Sequence, residues 1–214
     1  PHFPRPNCLT MPPAHLPHAK DKPLFTPGPL TTSLSVKQAM LRDLGSRDAE
    51  FIELVGEIRS ELLAVAGNNV SAEYECVLLQ GSGTFGVEAD MTCAISTDGK
   101  WLILVNGSYG KRMTKIDEVH GMDHTSHAIN ENTAFTAELV DSLLAADPSI
   151  HAVAIVHCET TTGIMNPIQE IGEVVRRHNK TYFVDSMSAF GGVCFDFQAC
   201  HIDYLVSSAN KCIE

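Results

Sequence analysis

The residues of this chain best able to do chemistry are an aspartate that closes one apolar run and a lysine that follows the next. They are Asp185, in Thr181-Tyr-Phe-Val-Asp185-Ser-Met-Ser-Ala-Phe190, and Lys211, at the end of Asp203-Tyr-Leu-Val-Ser-Ser-Ala-Asn-Lys211. A lysine amine forms a Schiff base with an aldehyde, and a carboxylate keeps an aromatic ring nitrogen protonated. Converging, the two residues serve one small aromatic cofactor. Each alone is an ordinary residue at a strand end, so the pair needs support from other segments.

Three loops supply it. Gly81-Ser-Gly-Thr-Phe-Gly86 matches G-x-G-x-x-G between an expected strand and an expected helix. Glycines there let backbone N–H groups, with the Ser82 and Thr84 hydroxyls, approach a phosphate at a helix N-terminus. A nicotinamide dehydrogenase would carry an acid for the ribose about 20 residues further on. Asn106-Gly107 stands at that place, so the loop is read as a phosphate site without a dinucleotide. In Asn106-Gly-Ser-Tyr109-Gly-Lys-Arg112 the glycines give the Tyr109 ring room against a planar ligand, where stacking adds about 0.5–1.5 kcal/mol. His157-Cys-Glu-Thr-Thr161-Thr-Gly163 offers three hydroxyls, with Thr161 a donor to a phenolic oxygen and His157 a flanking or merely structural residue. A tight turn and a core tyrosine are the plain alternatives for the first two loops. Together the five segments put a phosphate cradle, a flat aromatic, a hydroxyl cluster, an acid and an amine at five successive strand ends. That is the protein's half of pyridoxal phosphate chemistry. His120, His124 and His127, with Asp123, come near metal-ligand spacing, but Gly121 breaks the helix that would align them, so no metal site is expected.

The elements that must hold these residues follow from the apolar pattern. Runs at Glu75–Gln80, Trp101–Val105, Ala152–Val156, Tyr182–Val184 and Tyr204–Val206 read as strands. Helices are expected at Ser35–Leu44, from Asp48 to Gly67, and at Gly86–Ser96, Tyr109–Val119, Thr136–Ala146 and Pro167–His178, with an irregular stretch after Val119. In the second helix Phe51, Ile52, Val55, Ile58, Leu62 and Val65 recur at helical spacing as an expected core face. Continuous apolar strands alternating with helices predict an α/β fold, a mostly parallel sheet with helices on both faces. Ligands of such sheets sit beyond the strand carboxyl ends.

The 214 residues suffice for one good-sized core, or for one domain plus part of another. With 15 Lys and Arg against 26 Asp and Glu, the net charge of -11 argues against nucleic acid or an anionic membrane as a partner. Seven scattered cysteines, Cys8, Cys76, Cys93, Cys158, Cys194, Cys200 and Cys212, lack C-x-x-C spacing and suit free thiols in an intracellular, reducing compartment. Residues 1–23 hold seven of the eleven prolines and read as an extended or disordered arm, its His2, His15 and His18 solvated. Lys211 lies only three residues before Glu214, and no covering helix follows, so a cut from a longer parent is expected.

Thr26-Pro-Gly-Pro-Leu-Thr-Thr32, Val36-Lys-Gln-Ala-Met-Leu41, Gly81-Ser-Gly-Thr84, His157-Cys-Glu-Thr-Thr-Thr-Gly-Ile-Met-Asn-Pro167, Val184-Asp-Ser-Met-Ser-Ala-Phe-Gly191 and Ser208-Ala-Asn-Lys-Cys-Ile-Glu214 are similar to one family. They resemble the class V, fold type I pyridoxal phosphate aminotransferases, and among these the 2-aminoethylphosphonate:pyruvate transaminases. The resemblance covers residues 24–214 and implies a partial cofactor-binding large domain, with the small C-terminal domain and its substrate-binding arginine absent. It implies that Lys211 is the Schiff-base lysine and Asp185 the partner of the pyridine nitrogen. Thr161 then meets the ring oxygen, Tyr109 and Met187 the two ring faces, and Ser82, Gly83, Thr84 and Asn210 the phosphate, while Pro27 and Gly28 lie near substrate. The implied reaction moves the amino group of 2-aminoethylphosphonate to pyruvate, giving phosphonoacetaldehyde and alanine, in a homodimer. An alanine:glyoxylate-type aminotransferase, or a truncated subunit without activity of its own, stays open as an alternative.

Overall fold

The computed structural model describes residues 21–67 and 70–213. Cys8, the three arm histidines and nearly all of the proline-rich segment lie outside the described residues. The chain forms α1 (Leu34–Ala39), α2 (Ala49–Ala66), a 3-10 turn (Val70–Ala72), α3 (Gly83–Ala94), β1 (Lys100–Val105), α4 (Ser108–His120), β2 (Asp123–Ala128), α5 (Ala137–Ala146), β3 (Ala152–Val156), α6 (Ile168–Arg177), β4 (Thr181–Asp185) and β5 (Tyr204–Val206).

The five strands form one sheet in the order β2-β1-β3-β4-β5, and every pairing is parallel. The continuous apolar runs of β1, β3 and β4 follow from this, because both faces of the central strands are covered. On one face Leu102, Leu104, Val153, Ile155, Tyr182 and Val184 pack with residues of α5 and α6 such as Val140, Leu144, Ile171 and Val175. On the other face Trp101, Ile103, Ala152, Ala154 and Phe183 pack with Val87 and Met91 of α3 and Met113 and Ile116 of α4. The expected α/β architecture is therefore present, with the strand carboxyl ends aligned along one edge.

Four expectations are corrected. Glu75–Gln80 forms no strand: it lies outside the sheet, with Val77 74% exposed. Its apolar run resembles a strand locally, but strand formation needs a partner for the backbone groups, and none of the described strands pairs with it. The glycine loop therefore enters α3 from irregular chain, and four strand ends carry the site instead of five. The stretch after Val119 is not irregular but contains β2, an edge strand whose polar sequence Asp123-His-Thr-Ser-His-Ala128 matches its largely exposed position beside β1. The apolar face of α2 is core only toward its end, where Ala66 is buried and Leu62 packs against the main cluster, while Ile52, Ile58 and Val65 are exposed. The helix expected at Ser35–Leu44 shrinks to α1, where Ser33 caps Val36 N–H.

No described helix is long and apolar enough to cross a membrane. Cys76, Cys93, Cys158, Cys194, Cys200 and Cys212 are all free thiols.

Candidate active site at the strand carboxyl ends

Asp185 is the last residue of β4, and its side chain is 3% exposed. Among the described residues, the one hydrogen bond to its carboxylate comes from Met187 N–H at 3.1 Å to Oδ1. Burial is the main force pushing its pKa from 3.8 up to about 6; Glu159 raises it further, while the Met187 bond, Arg112 and Lys211 pull it down. An ionised carboxylate this deeply buried calls for a cationic hydrogen-bond donor.

Lys211 is also buried, and among the described residues its Nζ makes no hydrogen bond or ion pair. Its own N–H donates to Ser208 O, closing the turn that follows β5. The Pro27-Gly28 turn packs on its stem. Gly28 has φ +153°, and a Cβ there would lie 2.7 Å from Lys211 Cδ and from Asn210 O. Only glycine fits this contact and this backbone. Pro27 itself is exposed, as is Asn210, whose Oδ1 accepts from Ser208 Oγ at 2.5 Å.

The glycine loop reaches the same place. Ser82 is the N-cap of α3, and its Oγ accepts from Phe85 N–H at 3.2 Å, which leaves the first-turn N–H groups of Gly83 and Thr84 beside it. A Cβ on Gly83 would lie 2.4 Å from Met187 Sδ and 3.2 Å from Ser208 Cβ, so three loops meet at this glycine. Among the described residues, the Ser207 hydroxyl is buried without a partner.

Tyr109 begins α4 half-buried. Arg112, one turn on, lays its guanidinium 4.5 Å from the tyrosine ring centre and donates to Thr84 Oγ1 at 2.9 Å, tying α4 to the first turn of α3. Arg112 is not among the residues expected at the site; its i, i+3 spacing from Tyr109 is the signal in the sequence that points to it.

The loop after β3 folds back on itself. Glu159 N–H donates to Ile164 O and Asn166 N–H to His157 O, with Gly163 in the left-handed region at the tip. Thr160, not Thr161, makes the contact across the site, pairing its hydroxyl with that of Ser188 at 2.5 Å. Thr161 is exposed on the tip. His157 is buried beneath Asp185: its N–H donates to Asp185 O at 2.8 Å, its Nδ1 pairs with Ser186 Oγ at 3.0 Å, and its ring meets Phe195 edge-on. Burial lowers its pKa to about 4, so it is a neutral supporting residue. Asn106 and Asn166 lock this loop to the end of β1 through two reciprocal hydrogen bonds of 2.9 and 3.1 Å.

The candidate residues thus gather in two groups. Ser82, Gly83, Thr84, Met187, Asp185, Lys211 and Gly28 share one place, and Tyr109 joins it through Arg112. Thr161, Asn210 and Pro27 stay at its exposed margin. The three histidines separate: His120 ends α4 bonded to Glu88, while His124 and His127 stand on β2. Among the described residues, no three metal-ligating side chains come together. Grooves of about 790 Å³ along α5 and α6 and about 510 Å³ around Tyr74 and Asp203 are lined by none of the candidate residues.

Comparison with known proteins gives the family. The family described as Aminotransferase class-V matches residues 32–213. A 2-aminoethylphosphonate--pyruvate transaminase of Pseudomonas putida (strain W619) is 47% identical over 191 residues, covering 89% of this chain and 51% of the relative. One of Salmonella paratyphi C (strain RKS4594) is 48% identical over 192 residues, covering 89% and 52%. The chain spans about half the length of these curated relatives. Among solved structures, pyridoxamine-pyruvate aminotransferase from Mesorhizobium loti superposes with a TM-score of 0.82 at 28% identity, over 92% of this chain and 49% of that one. Alanine--glyoxylate aminotransferase from Nostoc sp. gives 0.81 at 29%, over 94% and 52%.

Proposed function

Because the chain belongs to the class V aminotransferases, we propose that residues 24–214 form a partial pyridoxal phosphate-binding large domain of a transaminase. The proposed reaction passes the amino group of 2-aminoethylphosphonate to pyruvate, giving phosphonoacetaldehyde and alanine. The observation that carries the reading is the pair Asp185, at the end of β4, and Lys211, in the turn after β5: among the described residues, a buried carboxylate with one hydrogen bond and a buried amine with none. The 46–48% identity to relatives of that name supports this donor and acceptor. The likeness to the Nostoc alanine--glyoxylate aminotransferase supports an alanine donor as the second reading.

The residues present fit the cofactor. Asp185 lacks the cationic donor that its burial demands, and a protonated pyridine nitrogen is such a donor. The Ser207 hydroxyl lacks a partner, and the Gly83 and Thr84 N–H groups at the start of α3 suit a phosphate. Asp185 would hold the ring nitrogen, Lys211 the aldehyde carbon, Ser82, Gly83, Thr84 and Asn210 the phosphate, Thr161 the ring oxygen, and Tyr109 and Met187 the ring faces. Bound there, pyridoxal phosphate would supply an aldehyde to accept the amino group and an electron-poor ring to delocalise a carbanion.

The chain's own residues then have defined tasks. Asp185 keeps a proton on the hydrogen bond it shares with the ring nitrogen. Lys211 Nζ holds the group in the resting site and, once released, takes and returns one proton at the reacting carbon. Met187 and Gly83 close the floor, and Pro27 and Gly28 edge the entrance used by a small-molecule amino donor. A homodimer in an intracellular, reducing compartment, without nucleic-acid or membrane partners, completes the proposal.

The test is spectroscopic. Pyridoxal 5'-phosphate added to the purified chain should produce visible absorbance, and borohydride should fix a cofactor-sized mass on Lys211 but not on the Lys211→Ala variant. 2-Aminoethylphosphonate without pyruvate should bleach the absorbance more efficiently than alanine does. No absorbance and no label in the wild-type chain would sink the reading.

A further inference from the structure

Glu159 has no part in the reading above, yet it is the most deeply buried charged side chain at the site, with 0% exposure. Its Oε1 accepts from Gly110 N–H at 2.9 Å and its Oε2 from Tyr109 N–H at 3.3 Å. Both N–H groups belong to the first turn of α4, a thirteen-residue helix whose N-terminus favours negative charge. The approach is so close that a Cβ on Gly107 would lie 2.4 Å from Glu159 Cδ. Gly107 is extended, so it is the carboxylate from the neighbouring loop, not backbone strain, that excludes a side chain there. This also revises the purpose of the glycine before Tyr109: it admits Glu159 rather than making room for the ring.

Glu159 acts in two directions from this position. Through hydrogen bonds it fixes the backbone that carries Tyr109. Through space it opposes ionisation of Asp185, against Arg112 and Lys211. The charged or titratable groups facing Asp185 are thus Glu159 on the loop after β3, Arg112 on α4, Lys211 after β5, and His157 at the end of β3.

We propose that Glu159 is a positioning residue of the site. Clamped to the start of α4, it holds Tyr109 against the cofactor face, and it supplies the second negative charge that keeps a proton between Asp185 and a ring nitrogen. The inference rests on the cofactor reading for its purpose, but its electrostatic half can be measured without any cofactor.

Two variants separate the roles. Glu159→Gln keeps the volume and removes the charge; Glu159→Asp keeps the charge and withdraws it by one methylene, out of reach of α4. In the ligand-free chain, the carboxyl 13C shift of Asp185 followed against pH should show a midpoint lower by about half a unit or more in the Gln variant. The Asp variant should fall between Gln and wild type. With pyridoxal 5'-phosphate, the Asp variant should bind about tenfold more weakly, the cost of two hydrogen bonds. Circular dichroism checks folding. An unchanged Asp185 midpoint in the Gln variant overturns the electrostatic role. An Asp variant equal to wild type in both midpoint and affinity overturns the proposal whether or not the Gln variant folds. Absence of cofactor binding by the wild-type chain instead refutes the cofactor reading and leaves the midpoint comparison to judge Glu159.

Discussion

Replacing Asp185 with asparagine should stabilise the ligand-free protein while removing its proposed function. In the folded chain burial lifts the Asp185 pKa from 3.8 to about 6. A carboxyl whose folded pKa lies above its unfolded one favours folding only while protonated. Its contribution is therefore neutral below about pH 4, turns unfavourable as pH rises from 4 to 6, and stays unfavourable above. At 1.36 kcal/mol for each pH unit between the two values, the loss at pH 7 amounts to about 3 kcal/mol. Asparagine keeps the volume, its Oδ1 can still accept from Met187 N–H, and it cannot ionise. Urea denaturation at several pH values should give a variant nearly matched to wild type at pH 4 and more stable by about 3 kcal/mol at pH 7. The same variant should lose the visible absorbance with pyridoxal 5'-phosphate, because an amide cannot pair with a pyridinium as a carboxylate does. A variant equal to or less stable than wild type at pH 7 would refute the reasoning about Asp185.

His157→Gln should show the opposite pH trend. Its imidazole titrates near 4 in the fold against 6.5 ordinarily, so wild type loses stability as pH falls through that window, by about 3 kcal/mol in all. The Gln variant should lack that slope in denaturation measured from pH 7 to 4; parallel curves would count against a buried neutral histidine. Asp117, fully buried with neither carboxylate oxygen partnered, has its pKa raised by burial to about 7. The stability gap between Asp117→Asn and wild type should therefore widen between pH 4 and 8, by about 4 kcal/mol at most, and a constant gap would reject this. Gly172→Ala would put a Cβ 1.9 Å from Cys200 O, where backbone must move. It should cost about 3 kcal/mol, and an unchanged melting temperature would contradict the packing of α6 on the loop before β5.

The parts of this fold legible in the sequence are those written locally. β1, β3 and β4 are buried on both faces, so their apolar runs give the parallel sheet directly. The helix expected from Thr136 is present with Thr136 as its cap, whereas α3 starts at Gly83, three residues before the expected Gly86, because the Ser82 hydroxyl caps it. Pairing is not local, and there the sequence misleads. β2 is as polar as a loop because it is an edge, and Glu75–Gln80 is as apolar as a core strand yet pairs with nothing described. The face of α2 has a sound helical period, but the period cannot say whether a neighbour covers it. At the site, residue types disclosed Asp185, Lys211, Gly83 and Tyr109. Glu159 and Arg112 escaped because their importance lies in partners far away in sequence, Gly107 and Gly110 for one and Thr84 for the other.

Buried charge alone would have selected the wrong residue. Asp117 is buried more completely than Asp185 and its pKa is pushed higher, to about 7 against about 6. Perturbed carboxyls mark functional sites only in probability, because a core can trap one without using it. What separates the two is company and place. Asp117 sits in the last turn of α4, where His120 and His124 oppose the effect of its burial. Asp185 stands at a strand carboxyl end, where parallel sheets bind ligands. There, among the described residues, a lysine and a serine hydroxyl without partners, two helix-terminal N–H groups and a second buried carboxylate lie on the neighbouring loops. Apart from Glu159, which already accepts two hydrogen bonds, these groups are costly to leave unsatisfied in a folded chain. Their unmet bonding needs are complementary, acid for a ring nitrogen, amine for an aldehyde and N–H for a phosphate, so one ligand can satisfy them together, and no comparable set surrounds Asp117.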